Sequence, residues 1–391
     1  MNFDEIIDRR NTYCTQWDYI EDRFGEADLL PFTISDTDFA VPEPVSRKLL
    51  ERLQHPIFGY TRWKHPHFKQ AVKGWFDKRF DLDINEDWIL YSPAVIYSLA
   101  QLIELKSAEG EGVIMQTPAY DAFFKTIKAN GRQCVENPLI YEDGSYSIDF
   151  DGLEALMADE NNKILLLCSP HNPTGRVWTS TELERLIQLC ETYDVFLISD
   201  EIHMDILRKD KKHHPILEIC QKNVALLSSA SKTFNFPGLV FSYLLIPDEA
   251  LRLAFSRQLK EKDGLSSTSI LGMEATITAY QEADSFLDEL NAYIGENQKL
   301  VRAFLEEHLP EIKLVPPEAS YLLWLDVSQL GFSMAELQEN LIKVGKVAIM
   351  DGGLYGDTGR DFIRLNIGCS KEKLQQGLEG LLKSITALKN S

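Results

Sequence analysis

Lys232 is the residue of this sequence with the clearest capacity for nucleophilic chemistry. It lies in the stretch SSASKTFNFPG, residues 228–238, between the apolar runs 224–227 and 239–246. A lysine between two strands is ordinarily a turn residue whose ammonium group reaches water. A lysine with a lowered pKa can instead attack a carbonyl group and form a Schiff base. Lys232 alone leaves both interpretations open, so the partners of such chemistry must come from elsewhere in the chain.

Chemically capable side chains also follow other predicted strands. Asn172 lies in the turn SPHNPTG after one apolar run, Asp200 follows the next run, and Tyr120 follows an earlier one. In open α/β sheets, ligands bind beyond the carboxyl ends of the strands, so we expect these side chains to meet at one edge of a sheet. The apolar runs that we predict as strands are 89–91, 113–116, 164–168, 195–199, 225–228 and 241–246.

The groups at this edge suit a phosphorylated aromatic carbonyl compound. The stretch SPAVI, residues 92–96, opens a predicted helix, and the free backbone N–H groups at a helix start bind phosphate without a basic side chain. Asp200 could cap the next helix, or it could stay charged beside a protonated ring nitrogen. Ser229 and Ser231 add hydroxyl groups. Together with Lys232, these groups are complementary to pyridoxal phosphate (PLP), which requires a lysine and a carboxylate at its ring nitrogen.

Short apolar strands alternate with amphipathic helices through the middle of the chain. This pattern predicts an α/β fold with a mostly parallel sheet that helices cover on both faces. The stretch TSTE, residues 179–182, is a capping box and predicts a helix start. We assign residues 46–285 to a large PLP-binding domain. Residues 1–45 and 286–391 are expected to form a smaller α/β domain.

Composition and charge exclude several classes of function. The 391 residues carry a formal net charge of −20 at pH 7, and no basic patch is available to neutralise nucleic-acid phosphates. No apolar run approaches the roughly 20 residues that a membrane helix needs, and the polar start MNFDEIIDRR lacks a signal-peptide core. The six cysteines lack the paired spacing of a disulfide framework or a zinc site. We therefore expect a cytoplasmic protein without a metal site.

Four motifs resemble those of a known family. The stretches NPTG, SDEIH, SASKTFNFPG and FIRLNIG have the order and spacing of the fold-type I PLP-dependent enzymes, which implies a large sheet of the seven-stranded type. SDEIH, TPAYDAFF, FGYTRW and SDTDFAVP more narrowly resemble the cystathionine β-lyase or cysteine–sulfur lyase branch, which includes a maltose-regulon modulator. This chain departs from most aminotransferases of the fold, which carry a tyrosine in place of His203 and a phosphate-pairing arginine in place of Val240.

The resemblance implies roles around the cofactor. Lys232 is then the Schiff-base lysine that also moves a proton, Asp200 pairs with the pyridinium nitrogen, and Asn172 contacts the phenolic oxygen. His203 either acts as a general acid, assists at the ring oxygen, or is a packed histidine. The further cofactor contacts that the resemblance implies come from Tyr120, stacked on the ring, and from Tyr60, Ser229, Ser231 and the amides of Val95 and Ile96 at the phosphate.

The resemblance also implies substrate contacts and an assembly. Arg364 in FIRLNIG is expected to bind the substrate α-carboxylate, because a planar guanidinium donates two parallel hydrogen bonds; a strand arginine paired with a surface acid is the alternative. Asn172 and Ser35 complete the predicted substrate contacts. Tyr60 resembles a tyrosine that reaches the phosphate of the neighbouring subunit's cofactor, so we expect a homodimer with shared active sites. Trp63 either lines the same mouth or packs in the core.

The predicted reaction is PLP-dependent β-elimination on sulfur amino acids, with Lys232, Tyr120 and Tyr60 as catalytic residues. Cystathionine would yield homocysteine, pyruvate and ammonia, and cysteine would yield hydrogen sulfide, pyruvate and ammonia. The sequence does not separate these substrates. Two alternatives stay open: an aminotransferase with the same early steps, and a regulatory protein that binds a transcription factor and has secondary lyase activity.

Two further stretches are set aside as sites. DGGLYGDTG, residues 351–359, resembles a phosphate-binding loop but precedes a strand rather than a helix, so we expect a mobile turn beside the substrate. KKHH, residues 211–214, could bind a metal or an anion, and we expect a solvated loop instead.

Overall fold

The structure is a computed structural model that describes residues 1–390 as a mixed α/β fold with two main sheets. The strands are β1 (Leu30–Phe32), β2 (Ile89–Ser92), β3 (Gly112–Thr117), β4 (Gln133–Pro138), β5 (Ile140–Glu142), β6 (Ser145–Ser147), β7 (Asn162–Cys168), β8 (Phe196–Asp200), β9 (Val224–Ser228), β10 (Ser242–Leu245), β11 (Lys313–Leu314), β12 (Leu322–Asp326), β13 (Val347–Asp351) and β14 (Phe362–Asn366). The α-helices are α1 (Ile20–Phe24), α2 (Glu43–Gln54), α3 (Pro66–Phe80), α4 (Val95–Lys106), α5 (Asp121–Ala129), α6 (Phe150–Met157), α7 (Ser180–Thr192), α8 (Ile216–Ile219), α9 (Glu249–Arg257), α10 (Ile270–Glu282), α11 (Asp284–His308), α12 (Met334–Asn340) and α13 (Lys371–Lys389).

The large sheet has seven strands in the order β2-β10-β9-β8-β7-β3-β4. Its pairings are parallel except those of β10, which runs antiparallel to β2 and β9. Every residue of β3, β8 and β9 is buried, as expected for strands that helices cover on both faces. The carboxyl ends of β2, β3, β7, β8 and β9 therefore point to one edge, and the loops that follow them lie together.

Helix α7 shows how the local sequence sets the helical layer. The hydroxyl of Thr179 accepts a hydrogen bond from the Glu182 amide, and the Glu182 carboxylate accepts one from the Thr179 amide, which confirms the predicted capping box. This exchange satisfies two N–H groups that a helix start leaves free. The buried residues of α7 lie on one face and are Leu183, Leu186, Ile187 and Cys190.

The second main sheet has five strands in the order β1-β13-β14-β12-β11 and joins the first part of the chain to its last third. β1 pairs in parallel with β13, and β14 lies antiparallel between β13 and β12. This arrangement agrees with the expectation that both ends of the chain pack together. The proposed boundaries at 45/46 and 285/286 fall within α2 and α11, and they stay predictions.

All six predicted strands are present, each with ends within two residues of the prediction. Asp200 is the last residue of β8 rather than the first residue after it. The strand β4 was not predicted, because only Asn137 of its polar sequence QCVENP is buried. It lies at the edge of the sheet, where polar residues are common. Each helix within residues 1–390 is too short or too polar to span a bilayer.

Candidate active site

A cavity of about 180 Å³ lies at the edge of the large sheet where the parallel strands end. It brings together most of the residues that the sequence analysis singled out: Ser35, Val95, Ile96, Tyr120, Asn172, Asp200, His203, Ser229, Ser231 and Lys232. The other residues of its wall are Pro93, Ala94, Phe123, Cys168, Ile202, Pro237, Phe241 and Ser242.

Lys232 is largely buried in the turn after β9, and its ammonium group donates a hydrogen bond to the Ser35 carbonyl at 2.7 Å. Burial lowers the pKa of Lys232 to about 8, and the nearby charge of Arg364 acts in the same direction. The next residue anchors the turn, because the Thr233 hydroxyl donates to the buried Asp205 carboxylate at 2.7 Å. A fixed amine with a lowered pKa can serve as a nucleophile and as a base.

Asp200 presents a buried carboxylate at the end of β8. One of its oxygens accepts a hydrogen bond from the Ile202 amide at 3.1 Å. Burial raises the pKa of Asp200 to about 7, while the Lys232 charge lowers it. A cationic group beside this carboxylate would favour its charged form, so the position suits a protonated ring nitrogen.

Arg364 lies on β14 and is 2% exposed. Its guanidinium donates to the Asn172 side-chain oxygen at 3.1 Å and to the Thr33 carbonyl at 2.8 Å, and its Nε has no partner within residues 1–390. The Tyr355 ring packs against it, with 4.8 Å from Cζ to the ring centre. The surface-acid alternative is wrong for the described residues, because the acceptors of Arg364 are neutral. A guanidinium held in this way keeps its charge available for an anion.

The side of the cavity predicted to take phosphate is formed by the start of α4 and by two serines. Ala94, the residue before α4, provides no side-chain cap, so the first amides of this helix keep their capacity to bind an anion. The Ser229 hydroxyl donates to the Phe241 carbonyl at 2.8 Å and accepts from the Ser231 amide at 3.1 Å. Val240, which stands where related enzymes carry an arginine, has an exposed side chain and forms no part of the cavity wall.

His203, Tyr120 and Ser35 close the cavity from other sides. Burial lowers the pKa of His203 to about 3, with the Lys232 charge adding to the effect, so its imidazole is neutral near pH 7. Its Nδ1 lies 3.5 Å from the Ser320 hydroxyl. Burial raises the pKa of Tyr120, so its phenol stays protonated. Because the His203 imidazole is neutral near pH 7, a role as a general acid is disfavoured. A role at the ring oxygen and a packing role both stay open.

Three of the predicted residues do not line this cavity: Arg364, which contacts it through its hydrogen bond to Asn172, and Tyr60 and Trp63. The Tyr60 side chain is 100% exposed, so within one chain it contributes nothing to the site. Trp63 is buried in the hydrophobic core and does not line the cavity, which favours the packing alternative.

The expectation of a solvated loop at 211–214 is wrong for His213. This ring is 1% exposed, and its Nε2 lies 2.8 Å from a carboxylate oxygen of the buried Glu201. Glu201 directly follows Asp200, and its other oxygen accepts from the Ser199 hydroxyl at 2.8 Å. The local sequence KKHH is polar, and only a partner distant in sequence explains the burial of one of its residues.

The sequence analysis missed three residues that contact the site. Thr33 accepts from Arg364 through a backbone carbonyl, and Tyr321 donates to the Ser35 carbonyl at 2.9 Å. Neither contact has a sequence signal. Tyr355 lies in the glycine-rich stretch that was expected to form a turn beside the substrate. The glycines of this stretch were a sequence signal for a tightly packed turn. A Cβ atom on Gly352 would lie 2.2 Å from the carbonyl oxygen of Gly359, so only glycine fits there.

The sequence and the fold of this chain are similar to those of known proteins. Residues 27–381 match the family described as aminotransferase class I and II. The chain belongs to this family. Among curated relatives, Protein MalY of Escherichia coli K12 is 44% identical and cystathionine β-lyase PatB of Bacillus subtilis is 39% identical. Each alignment covers 99% of this chain and 100% of the relative.

Two solved structures agree with this placement. Cystalysin from Treponema denticola, which contains PLP, is 33% identical, with a TM-score of 0.94 over 99% of each chain. The PLP-bound C–S lyase from Staphylococcus hominis is 31% identical, with a TM-score of 0.92 over 98% of each chain. These matches confirm the resemblance noted above. The chain is a PLP-dependent carbon–sulfur lyase.

The residues of the cavity fit PLP on their own chemistry. The buried Asp200 carboxylate has one backbone hydrogen bond and can take a ring N–H, and the uncapped start of α4 can take a phosphate. Lys232 supplies an amine in the same cavity. When bound there, PLP supplies an electron-withdrawing ring that stabilises negative charge at the substrate Cα.

Proposed function

We propose that this lyase cleaves the Cβ–S bond of cystathionine and of cysteine by β-elimination. Cystathionine and water would give homocysteine, pyruvate and ammonia; cysteine and water would give hydrogen sulfide, pyruvate and ammonia. The observation that carries the proposal is the contact of the buried Arg364 with Asn172, because Asn172 lines the same cavity as Lys232 and the charge of Arg364 acts on the Lys232 amine. Relatives named for cystathionine β-lyase activity support this choice of substrate.

The proposed roles divide binding from proton transfer. Arg364 and Asn172 would bind the substrate α-carboxylate and fix the Cα–H bond relative to Lys232. The Lys232 amine would take the Cα proton, and the lowered pKa makes the neutral amine available near pH 8. The thiolate then leaves from Cβ. Asp200 would hold the ring nitrogen protonated, and Tyr120 would cover the ring; Ser35 would keep the lysine amine in place through its carbonyl.

An aminotransferase is the second candidate, and the description of the family favours it. The two reactions share the removal of the Cα proton and differ in where that proton goes. In β-elimination it is lost and the sulfur leaves, whereas in transamination it returns to the cofactor and a second keto acid is needed. The predicted cytoplasmic location and the regulatory alternative stay predictions.

Product analysis should separate these reactions. With purified holoenzyme and cystathionine, we expect pyruvate, ammonia and homocysteine in equal amounts without an added keto acid, because elimination needs only water. Pyruvate is measured with a coupled dehydrogenase and thiol with a chromogenic reagent, and reactions without enzyme or without substrate are the controls. Product that forms only when a keto acid is added would contradict the proposed β-elimination of cystathionine and favour transamination.

We also propose that the working unit is a homodimer whose sites are shared. Tyr60 is fully exposed, and Leu53, Ile57 and Phe58, which are close to it in sequence, also have exposed apolar side chains. Exposed apolar clusters of this kind mark contact surfaces, and a two-fold dimer would cover the cluster from both chains. Tyr60 of one chain would then reach the phosphate held by its partner, where no arginine is available.

Subunit mixing tests the shared site. Tyr60→Phe and Lys232→Ala homodimers should both be impaired, the second far more. After exchange, roughly half of the dimers are mixed, and one site in each mixed dimer combines an intact Lys232 with an intact Tyr60 from the other chain. Activity should therefore exceed the average of the two parents. If tag pull-down shows exchange and activity stays at that average, Tyr60 serves its own chain and the shared site is refuted.

A further inference from the structure

Arg23 is a cation near the active site without an anionic partner. Its guanidinium donates to the Thr33 hydroxyl at 3.1 Å and contacts the Met350 sulfur at 3.5 Å. Within residues 1–390, no carboxylate forms an ion pair with it, although a nearby Asp121 pairs with Lys125. Arg23 is an exposed residue, so a ligand that extends out of the cavity can meet it.

Thr33 connects Arg23 to Arg364. Its hydroxyl accepts from Arg23 and its carbonyl accepts from Arg364, so one residue holds both guanidinium groups. Met350 gives a second link, since it is paired with Arg364 between β13 and β14. From ordinary bond lengths, the two sets of donor nitrogens lie within about 10 Å of each other.

The positive charges of Arg23 and Arg364 interact electrostatically. Burial lowers the pKa of Arg23, and the charge of Arg364 lowers it further, while Tyr355 and Asp121 raise it. Two cations held close together by neutral acceptors repel each other, and an anion that bridges them relieves the repulsion. The arrangement therefore favours a ligand with two negative ends over a ligand with one.

We propose that Arg23 binds the distal carboxylate of substrates that carry a carboxylate at each end, while Arg364 binds the α-carboxylate. This inference rests on the proposed lyase function and selects cystathionine over cysteine within it. The two carboxylate carbons of cystathionine are seven bonds apart and span up to about 9 Å, so the ligand is long enough to reach two guanidinium groups whose donor nitrogens lie within about 10 Å of each other. Cysteine has one carboxylate and leaves Arg23 without a ligand.

Binding by inert analogues tests the inference without turnover. L,L-diaminosuberate has a methylene in place of the cystathionine sulfur and cannot lose a thiolate; its matched control replaces the distal carboxylate with a methyl group. Calorimetric titration of the holoenzyme gives a dissociation constant for each analogue. Their ratio measures the selectivity for the distal carboxylate. We expect Arg23→Met to reduce this selectivity about five- to tenfold, which is typical for a charge-assisted hydrogen bond at a partly exposed site. Arg23→Lys should keep part of it.

Arg302→Met is the matched control, since it removes another exposed arginine, one that forms no hydrogen bond with Thr33. It should leave the ratio unchanged, and PLP absorbance checks that every variant is folded. A ratio in Arg23→Met equal to that of the wild type overturns the inference. The proposed function can fail separately. If Arg23→Met changes the ratio of dissociation constants but the wild type makes no pyruvate from cystathionine or cysteine, the Arg23 assignment stands and the proposed β-elimination is rejected.

Discussion

Lys232→Ala should lose turnover by several orders of magnitude. The variant lacks both the amine that attaches to the cofactor and the base that takes the Cα proton, and positioned proton transfer alone contributes about 10²–10⁴-fold. The measurement is kcat for pyruvate release from cystathionine. In the wild type, borohydride should fix the cofactor irreversibly to the peptide that contains Lys232.

The control is Lys209→Ala, which removes an exposed lysine and should keep full activity. Added methylamine offers a further check, because a small external amine can replace part of a missing lysine. If Lys232→Ala keeps activity within tenfold of the wild type, Lys232 is a turn lysine and another base must be sought.

Asp200→Asn should reduce kcat by about 100-fold or more, the size seen when a charge-stabilising group is removed from an active site. The carboxylate is buried, and an amide of the same shape cannot stabilise a protonated ring nitrogen. The cofactor should still bind, because the lysine and the phosphate site are unchanged. We therefore expect retained cofactor with an altered absorbance spectrum, measured together with kcat.

A second carboxylate variant separates charge from packing at this position. Asp205→Asn changes the buried acid that accepts from Thr233 and from the Trp75 indole, and it has no contact with the cavity. Its effect should be smaller and should not change the spectrum. Equal losses in both variants, with the spectrum unchanged in both, would indicate that Asp200 acts only through packing.

The large sheet could be predicted from the sequence because its strands are nearly continuous apolar runs. β8 and β9 are buried along their whole length, so hydrophobicity alone reveals them. β4 escaped prediction for the opposite reason, since an edge strand needs few apolar residues. The capping box before α7 was visible because both of its partners lie within four residues.

Most of the candidate site was predictable where a side chain or a helix start carries its own chemistry. Lys232 and Asp200 were found as an amine and a carboxylate at a strand end, the amides of Val95 and Ile96 as a helix start, and Arg364 through the family resemblance of FIRLNIG. Thr33 contributes a carbonyl, which every residue has, so no sequence feature marks it. The burial of His213 beside Glu201 likewise depends on tertiary structure, which a single polar stretch does not reveal.

The long sequence separations within the site have a consequence for folding. Lys232 contacts Ser35 across 197 residues, and Arg364 contacts Thr33 across 331 residues. Contacts between distant segments form late, because closing a long loop costs chain entropy before any contact compensates for it. During synthesis, Thr33 leaves the ribosome long before Arg364 does. The carboxylate-binding end of the site therefore forms late, and catalytic competence is acquired only after β13 and β14 have docked beside β1.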